Sequence, residues 1–147
     1  MGQQQLLLLV LSTIIVAISI VIGLQVYTQG DQNARKEMAN VKMAEIAGRA
    51  IGWRNTPKQL RGGRNTDGTS SFEGFQFQDI GITDDEYFYL SDGSCISCIV
   101  KNGGQQLDLQ WQPKGDCGSG NDVLFKLEIT GVEHTDIAYV DGSYNWE

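Results

Sequence analysis

The chain begins with an unbroken apolar run. From Leu6 to Leu24, nineteen residues carry no charge, and only Ser12, Thr13, Ser19 and Gly23 interrupt the Leu/Ile/Val/Ala pattern. At about 1.5 Å per residue such a helix rises about 28 Å, close to the hydrocarbon thickness of a bilayer, so a membrane-spanning helix is predicted. On a helical wheel Gln5, Ser12, Ser19, Gly23 and Gly30 fall within about 20° of one line. This is a narrow stripe of small or polar residues on a bulky rod, and Ser19 with Gly23 makes a small-xxx-small pair. Such stripes let helix backbones approach where the hydrophobic effect cannot drive association, which predicts packing against copies of the same helix.

After Gly30 the pattern becomes amphipathic. Gly30 and Asp31 predict a loosened point and a capped restart. One apolar stripe then holds Ala34, Val41, Ala44, Gly48 and Ile51, and a second holds Met43, Ile46, Ala47, Ala50 and Trp53. Arg35, Lys42, Glu45 and Arg49 share the polar face between them. Two stripes predict two partners, the protein's own head and a neighbour. Asn55-Thr56-Pro57 should end the helix, because the residue before proline leaves the α region. A helix from Gln3 to Trp53 would be about 75 Å long.

The stretch LRGGRNTDGTSSF (60–72) reads as a polar loop. Its GGR and DGT resemble fragments of phosphate or calcium loops but lack the flanking strand, the P-loop lysine and the acid spacing. Alternation with period two follows. Phe75 and Phe77 alternate with Gln76 and Gln78, then come Phe88 and Leu90, Ile96/Cys98/Val100, Leu107/Leu109/Trp111, Phe125/Leu127/Ile129 and a short run from Ile137 to Val140. These predict an antiparallel sheet with one face buried. A two-residue turn at Gly103-Gly104 would set Asn102 opposite Gln105 and pair Val100 with Leu107, Cys98 with Leu109 and Ile96 with Trp111, all on one face. The other face of this hairpin carries Cys95, Ser97, Ile99, Asp108, Gln110 and Gln112. The expected fold class is α+β: a long N-terminal helix, apolar then amphipathic, followed by a small antiparallel β head. The expected divisions are 1–30 for the apolar helix, 31–56 for its amphipathic continuation and 57–147 for the head.

Charge sharpens this picture. The net charge is -7, but residues 31–64 hold eight Lys/Arg and three acids, whereas residues 65–147 hold three lysines and fifteen acids. The overall sign argues against nucleic acid as a required partner. The asymmetry predicts two surfaces that meet, with Arg35, Lys42 and Arg49 as inter-subunit charges.

Three cysteines remain. Cys95-x-x-Cys98 lies in a strand, with its side chains on opposite faces, which does not suit a redox motif at a helix N-terminus. A disulfide between Cys95 and Cys117 is predicted, with Cys98 left as a buried thiol; Cys98 with Cys117 is the alternative. A disulfide implies an oxidising compartment. His134, the only histidine, reads as a solvated loop residue between acids. Asp84-Asp85-Glu86 and GDCGSGND (115–122) read as solvated acidic loops without EF-hand spacing. No nucleophile–histidine–acid set can be assembled, so no catalytic residue, metal site or cofactor is expected and the chain is not expected to be an enzyme. The N-terminus lacks the basic region of a secretory signal, and Leu6 stands where myristoylation needs Ser or Thr.

An apolar helix with almost nothing before it, an amphipathic continuation and a small β head with a disulfide together resemble the type IV pilin superfamily, including pseudopilins and archaeal pilins. The resemblance is architectural and spans the chain. It implies a leader cut after a glycine, here Gly2, leaving Gln3 as the mature N-terminus. Gln3 stands where many bacterial pilins have phenylalanine, and Leu7 where they have glutamate. It further implies a homopolymer at the cell surface, an inner-membrane precursor and a pilus-type assembly machinery. The competing expectation is a single-pass membrane-anchored protein with an acidic, β-rich binding or sensor head. The eight basic residues after the span would favour placing that head in the cytoplasm.

If the basic helix face registers subunits, charge reversal at Lys42 or Arg49 lowers the yield of pelletable filament more than it lowers thermal stability. Wild-type filament yield in both variants would contradict this.

Overall fold

The computed structural model describes residues 2–83, 86–115, 117–118, 123–131 and 136–141. A single helix, α1, spans Gly2–Asn55. It continues through Gly30 and Asp31, so the predicted capped restart is absent. One glycine costs a helix interior only about 1 kcal/mol, and no proline removes a donor there. Asp31 lies within the helix, and its carboxylate accepts a 3.0 Å hydrogen bond from Arg35 Nε one turn on. The helix stops before Pro57, as expected; the Thr56 hydroxyl donates to Gly52 O at 2.9 Å and helps satisfy the last turn.

Two compact units divide the chain at Met38/Ala39. The division falls inside α1, between the boundaries expected at 30 and 56. In the first unit every described side chain is exposed except half-buried Gln32. In the second unit Ala39 is the first buried residue of the helix.

The second unit contains five strands, β1 (Tyr87–Tyr89), β2 (Cys95–Lys101), β3 (Gln106–Gln112), β4 (Phe125–Ile129) and β5 (Ile137–Asp141). They form one antiparallel meander in the order β1-β2-β3-β4-β5. Ala39, Met43, Ile46, Ala47 and Ala50 of α1 form one buried core with Ile96, Leu107, Leu109, Trp111, Leu127 and Ile129 of the sheet and with Phe72, Phe75 and Phe77. The small alanines permit close approach of the helix, and the large sheet side chains fill the space between them.

The hairpin has the expected register, with Val100 opposite Leu107, Cys98 opposite Leu109 and Ile96 opposite Trp111. Gly103 and Gly104 have φ of 61° and 85°, and the Gln105 N–H closes the turn on Asn102 O. Both angles lie in the left-handed region, which is why two glycines stand there.

Two expectations fail. Phe75 and Phe77 do not form a strand. A tight 3-10 turn runs over Phe77–Ile80, held by reciprocal bonds in which the Gln76 side chain accepts from the Asp79 N–H and the Asp79 carboxylate accepts from the Gln76 N–H. Both phenylalanines still enter the core. The outer face of the hairpin is also not simply solvated. Cys95, Ser97, Asp108 and Gln112 are buried, while Ile99 is exposed. The disulfide loop covers one end of that face and lysine stems cover the other.

Met43 lies on the buried stripe and Val41 on the exposed part of the other, so two substitutions should separate cleanly. Met43→Ala should destabilise the full-length protein in detergent by about 2–5 kcal/mol. Val41→Ala, on the exposed stripe, should stay within about 0.5 kcal/mol of wild type by denaturant unfolding.

Candidate functional site: an exposed apolar helix and a clamped head

In the first unit the apolar residues from Leu6 to Leu24 are all exposed. By length and composition α1 is able to cross a membrane, with a mean hydropathy of 3.0 over its most apolar window. Its hydroxyls are already partnered by the helix. Ser12 donates to Leu9 O, Thr13 to Val10 O, Ser19 to Ile15 O and Thr28 to Gln25 O, at 2.8–3.0 Å. Gln5, Ser12, Ser19, Gly23 and Gly30 are exposed, and a Cβ added at Gly23 or Gly30 would meet nothing. Gly2 and Gln3 form the exposed first turn.

In the second unit the two predicted stripes part company. Met43, Ile46, Ala47 and Ala50 are buried, and Trp53 is half-buried, edge-on to Phe75 with ring centroids 5.3 Å apart. Of the other stripe, Val41, Ala44 and Gly48 are exposed, as is Ala34 in the first unit. Ile51 departs from its neighbours and packs against the core.

The three basic residues expected to meet another subunit have partners in their own chain. Arg35 pairs with Asp31 at 3.0 Å. Lys42 and Arg49 share Glu45 at 3.0 and 2.8 Å. The hydrogen bond and charge of Lys42, with Arg49 adding, hold the Glu45 carboxyl below its ordinary value. All these groups remain about half exposed, where solvent screens such pairs and they add little stability. Arg49 also donates from Nη1 to Ile80 O at 3.1 Å, tying α1 to the Phe77–Ile80 turn. Reversal at Arg49 therefore removes a contact of the fold as well, and Lys42 is the cleaner probe of assembly.

The residue that most firmly joins helix and head was not singled out in the sequence. Arg54, four residues after Ala50 on the buried stripe, is itself buried. Its guanidinium donates to Ser70 O and Gln105 Oε1, both at 3.3 Å, and to Thr130 O at 3.5 Å, and stacks 4.8 Å above the Phe72 ring. Burial lowers its pKa, opposed by the charge of Asp136. The close turns beneath it explain two glycines of the Gly-rich loop: a Cβ at Gly62 would overlap Thr56, and one at Gly63 would overlap Ser71 O. In the DGT of that loop, Asp67 accepts from the Thr69 N–H and hydroxyl at 2.9 and 2.6 Å, an ordinary local turn.

The disulfide joins Cys95 to Cys117, with 6.0 Å between Cα atoms. Gln112, opposite Cys95 in the sheet, accepts a 2.9 Å hydrogen bond from the Gly118 N–H and so fixes the loop to the strand. Cys98 is free and half-buried rather than fully buried. Burial pushes its thiol up to about 11, which keeps it protonated and unreactive at neutral pH.

A polar hub occupies the outer face of the sheet. Asp108 is 0% exposed, and its Oδ2 meets Lys101 Nζ at 2.7 Å and Lys126 Nζ at 3.1 Å. Gln106 Nε2 donates to Oδ1 at 2.7 Å, and Lys126 also pairs with Glu128. Burial alone would raise the Asp108 carboxyl. The hydrogen bonds from Lys101, Gln106 and Lys126 outweigh it and leave the group below its ordinary value. The Glu128 bond, helped by Asp108, raises Lys126. The hub pins β2, β3 and β4 in register.

His134, Asp84, Asp85 and most of the second acidic loop lie outside the described residues. Among the described residues no three His, Cys, Asp or Glu side chains are grouped to hold a metal. Comparison with protein-family models, curated proteins and solved structures gave no match.

Because Asp108 has a depressed pKa, its contribution is present above the ordinary aspartate value of about 3.9 and is lost as pH falls through its folded value. Asp108→Asn should cost about 2–3 kcal/mol at pH 7, where the carboxylate accepts charged hydrogen bonds. The gap from wild type should narrow between pH 7 and pH 2. An equal gap at both pH values in denaturant unfolding would contradict the assignment.

Proposed function

We propose that this chain is the structural subunit of an extracellular, pilus-like helical filament. The carrying observation is the apolar segment of α1, long enough to cross a bilayer, with every residue from Leu6 to Leu24 exposed. The fifteen Leu, Ile, Val and Ala residues of this segment require an apolar partner outside a membrane, and a bundle of identical rods supplies one. The Gln5-Ser12-Ser19-Gly23-Gly30 line gives a face on which backbones approach closely. The heads then form the outer wall, and their repeated contact is heterologous and open, the geometry of a helical polymer. The disulfide suits a head exposed to an oxidising exterior. The precursor resides in the inner membrane and is handed to a pilus-type machinery. The subunit acts as a structural element and not as an enzyme, without cofactor or nucleic acid.

A second reading, a single-pass membrane-anchored protein with a sensor or binding head, draws support from the eight basic residues that follow the span. The test is negative-stain imaging of the sheared extracellular fraction, with mass spectrometry of the subunit N-terminus. Filaments containing this chain support the first reading, and the terminal mass reports whether cleavage follows Gly2. Retention of all the protein in the membrane supports the second.

Gly23 offers a sharper probe. A side chain there meets nothing within its own chain, so Gly23→Leu should leave the disulfide and head stability unchanged. It should lower filament yield by at least about tenfold, the effect of roughly 1.4 kcal/mol per subunit contact.

A further inference from the structure

Both edges of the sheet are open among the described residues, and they differ. At one edge β1 is three residues long, whereas β5 at the other runs five, Ile137–Asp141. Natural sheets blunt a free edge with lysine, proline, a bulge or a very short strand. β1 is short. β5 has none of these devices: it reads IAYVD, and its register with β4 is unbroken. The direction of its backbone groups follows from one bond. The Thr130 N–H donates to Asp136 O at 3.0 Å, in step with the β4–β5 register. Bonded and non-bonded residue pairs alternate along an antiparallel ladder. Ala138 and Val140 therefore bond to β4, and Ile137, Tyr139 and Asp141 turn their N–H and C=O groups outward. On β1 the Leu90 N–H donates to Ser94 O at 2.8 Å, which leaves only Tyr87 and Tyr89 turned outward there.

Tyr139 stands opposite Leu127, on the side of the sheet that carries the core, yet it is 59% exposed. Its ring lies against Phe125, with centroids 5.6 Å apart. Ala138 and Val140, on the other face, are exposed as well. The partner that fits this edge is the same edge. When two β5 strands pair antiparallel about Tyr139, Tyr139 meets Tyr139 and Ile137 meets Asp141. Three outward residues per copy, each with one N–H and one C=O, then form six bonds and leave no group over. Pairing β5 with β1 engages only Tyr87 and Tyr89, forms at most four bonds and strands one residue of β5. The side chains agree with the self-pairing. Aromatic residues face each other, Ala138 meets Val140, and the register sets Asp141 opposite an isoleucine and not another acid.

We propose that β5 of one copy pairs antiparallel with β5 of a second copy, centred on Tyr139, and joins the two sheets edge to edge. A twofold axis relates the copies, so the contact is isologous and closes at two. It goes beyond the filament reading, whose repeated contact is heterologous and open, and it depends on neither that reading nor the single-span one. Main-chain bonds supply the affinity, while the Tyr139 pair and the Ala138–Val140 contacts set the register.

The test captures the contact as a disulfide in full-length protein in detergent, in a Cys98→Ser background that removes the free thiol. Residues facing each other in a bonded antiparallel pair have Cα atoms about 5.5 Å apart, within disulfide reach. Under mild oxidation Tyr139→Cys is expected to link to itself. Ile137→Cys and Asp141→Cys are expected to link when mixed and not when oxidised separately. Adding Asp141→Pro to Tyr139→Cys should lower the yield about tenfold, the effect of two lost backbone bonds. Proline there deletes an outward N–H from each copy and leaves β4 its donors. Far-UV circular dichroism and retention of the Cys95–Cys117 link check the fold of each variant. No self-link in Tyr139→Cys, self-links in Ile137→Cys or Asp141→Cys, or an unchanged yield with Asp141→Pro would overturn the proposal. A mixed link between Tyr139→Cys and Tyr87→Cys in place of the self-link would also overturn it, in favour of β5 on β1. The link in a protein that never pellets as filaments keeps the contact and counts against the filament reading. Pelleted filaments without the link do the reverse.

Discussion

The segment from Leu6 to Leu24 has to be kept from water, and among the described residues nothing buries it. At roughly 1.5–3 kcal/mol for each large apolar side chain, leaving it wet would exceed the marginal stability of any head this small. Every other feature of the molecule is compatible with meeting that demand elsewhere, in lipid or in a bundle of equal rods. The second half of α1 shows the alternative in the same helix. From Ala39 onward one stripe is satisfied within the chain, by Phe72, Phe77 and the inner face of the sheet. The opposite stripe, with Val41, Ala44 and Gly48, is left over.

The head holds the end of a helix whose first unit is exposed. A small hydrophobic core does part of this. The rest falls to directional bonds at the helix C-terminus, where Arg54 gathers the Ser70, Gln105 and Thr130 segments and Arg49 takes the Ile80 carbonyl. A guanidinium suits this position because its planar fork donates in several directions at once while its face lies on Phe72. The disulfide at the other side of the sheet ties the Cys117 loop to β2, and the Asp108 hub ties β2 to β4 through β3.

Much of this was legible in the residues, for identifiable reasons. The hairpin register followed from two independent signals, the alternation of Ile96/Cys98/Val100 against Leu107/Leu109/Trp111 and a Gly-Gly turn that agreed with it. The end of α1 followed from Pro57. The buried stripe of Met43, Ile46, Ala47 and Ala50 followed from helical spacing. What failed had weaker or ambiguous signals. Phe75 and Phe77 alternate over only four residues, too few to separate a strand from a tight turn; the signal that would have separated them is Gln76 with Asp79, an end-cap pair. Asp108 looked like a solvated outer-face residue, because its burial depends on lysines from two other strands. The alternating signs at Lys101, Asp108, Lys126 and Glu128 held that information, but only once three strands were placed in register. Arg54 was hidden because a basic residue in a last helical turn is so often a surface residue.

The hydroxyls of the apolar rod carry one more consequence. Ser12, Thr13, Ser19 and Thr28 each donate to a carbonyl three or four residues back in the same helix. None needs a partner from its surroundings, so the rod presents the same face whether lipid or protein encloses it. Passing from one enclosure to the other breaks no hydrogen bond and strands no donor.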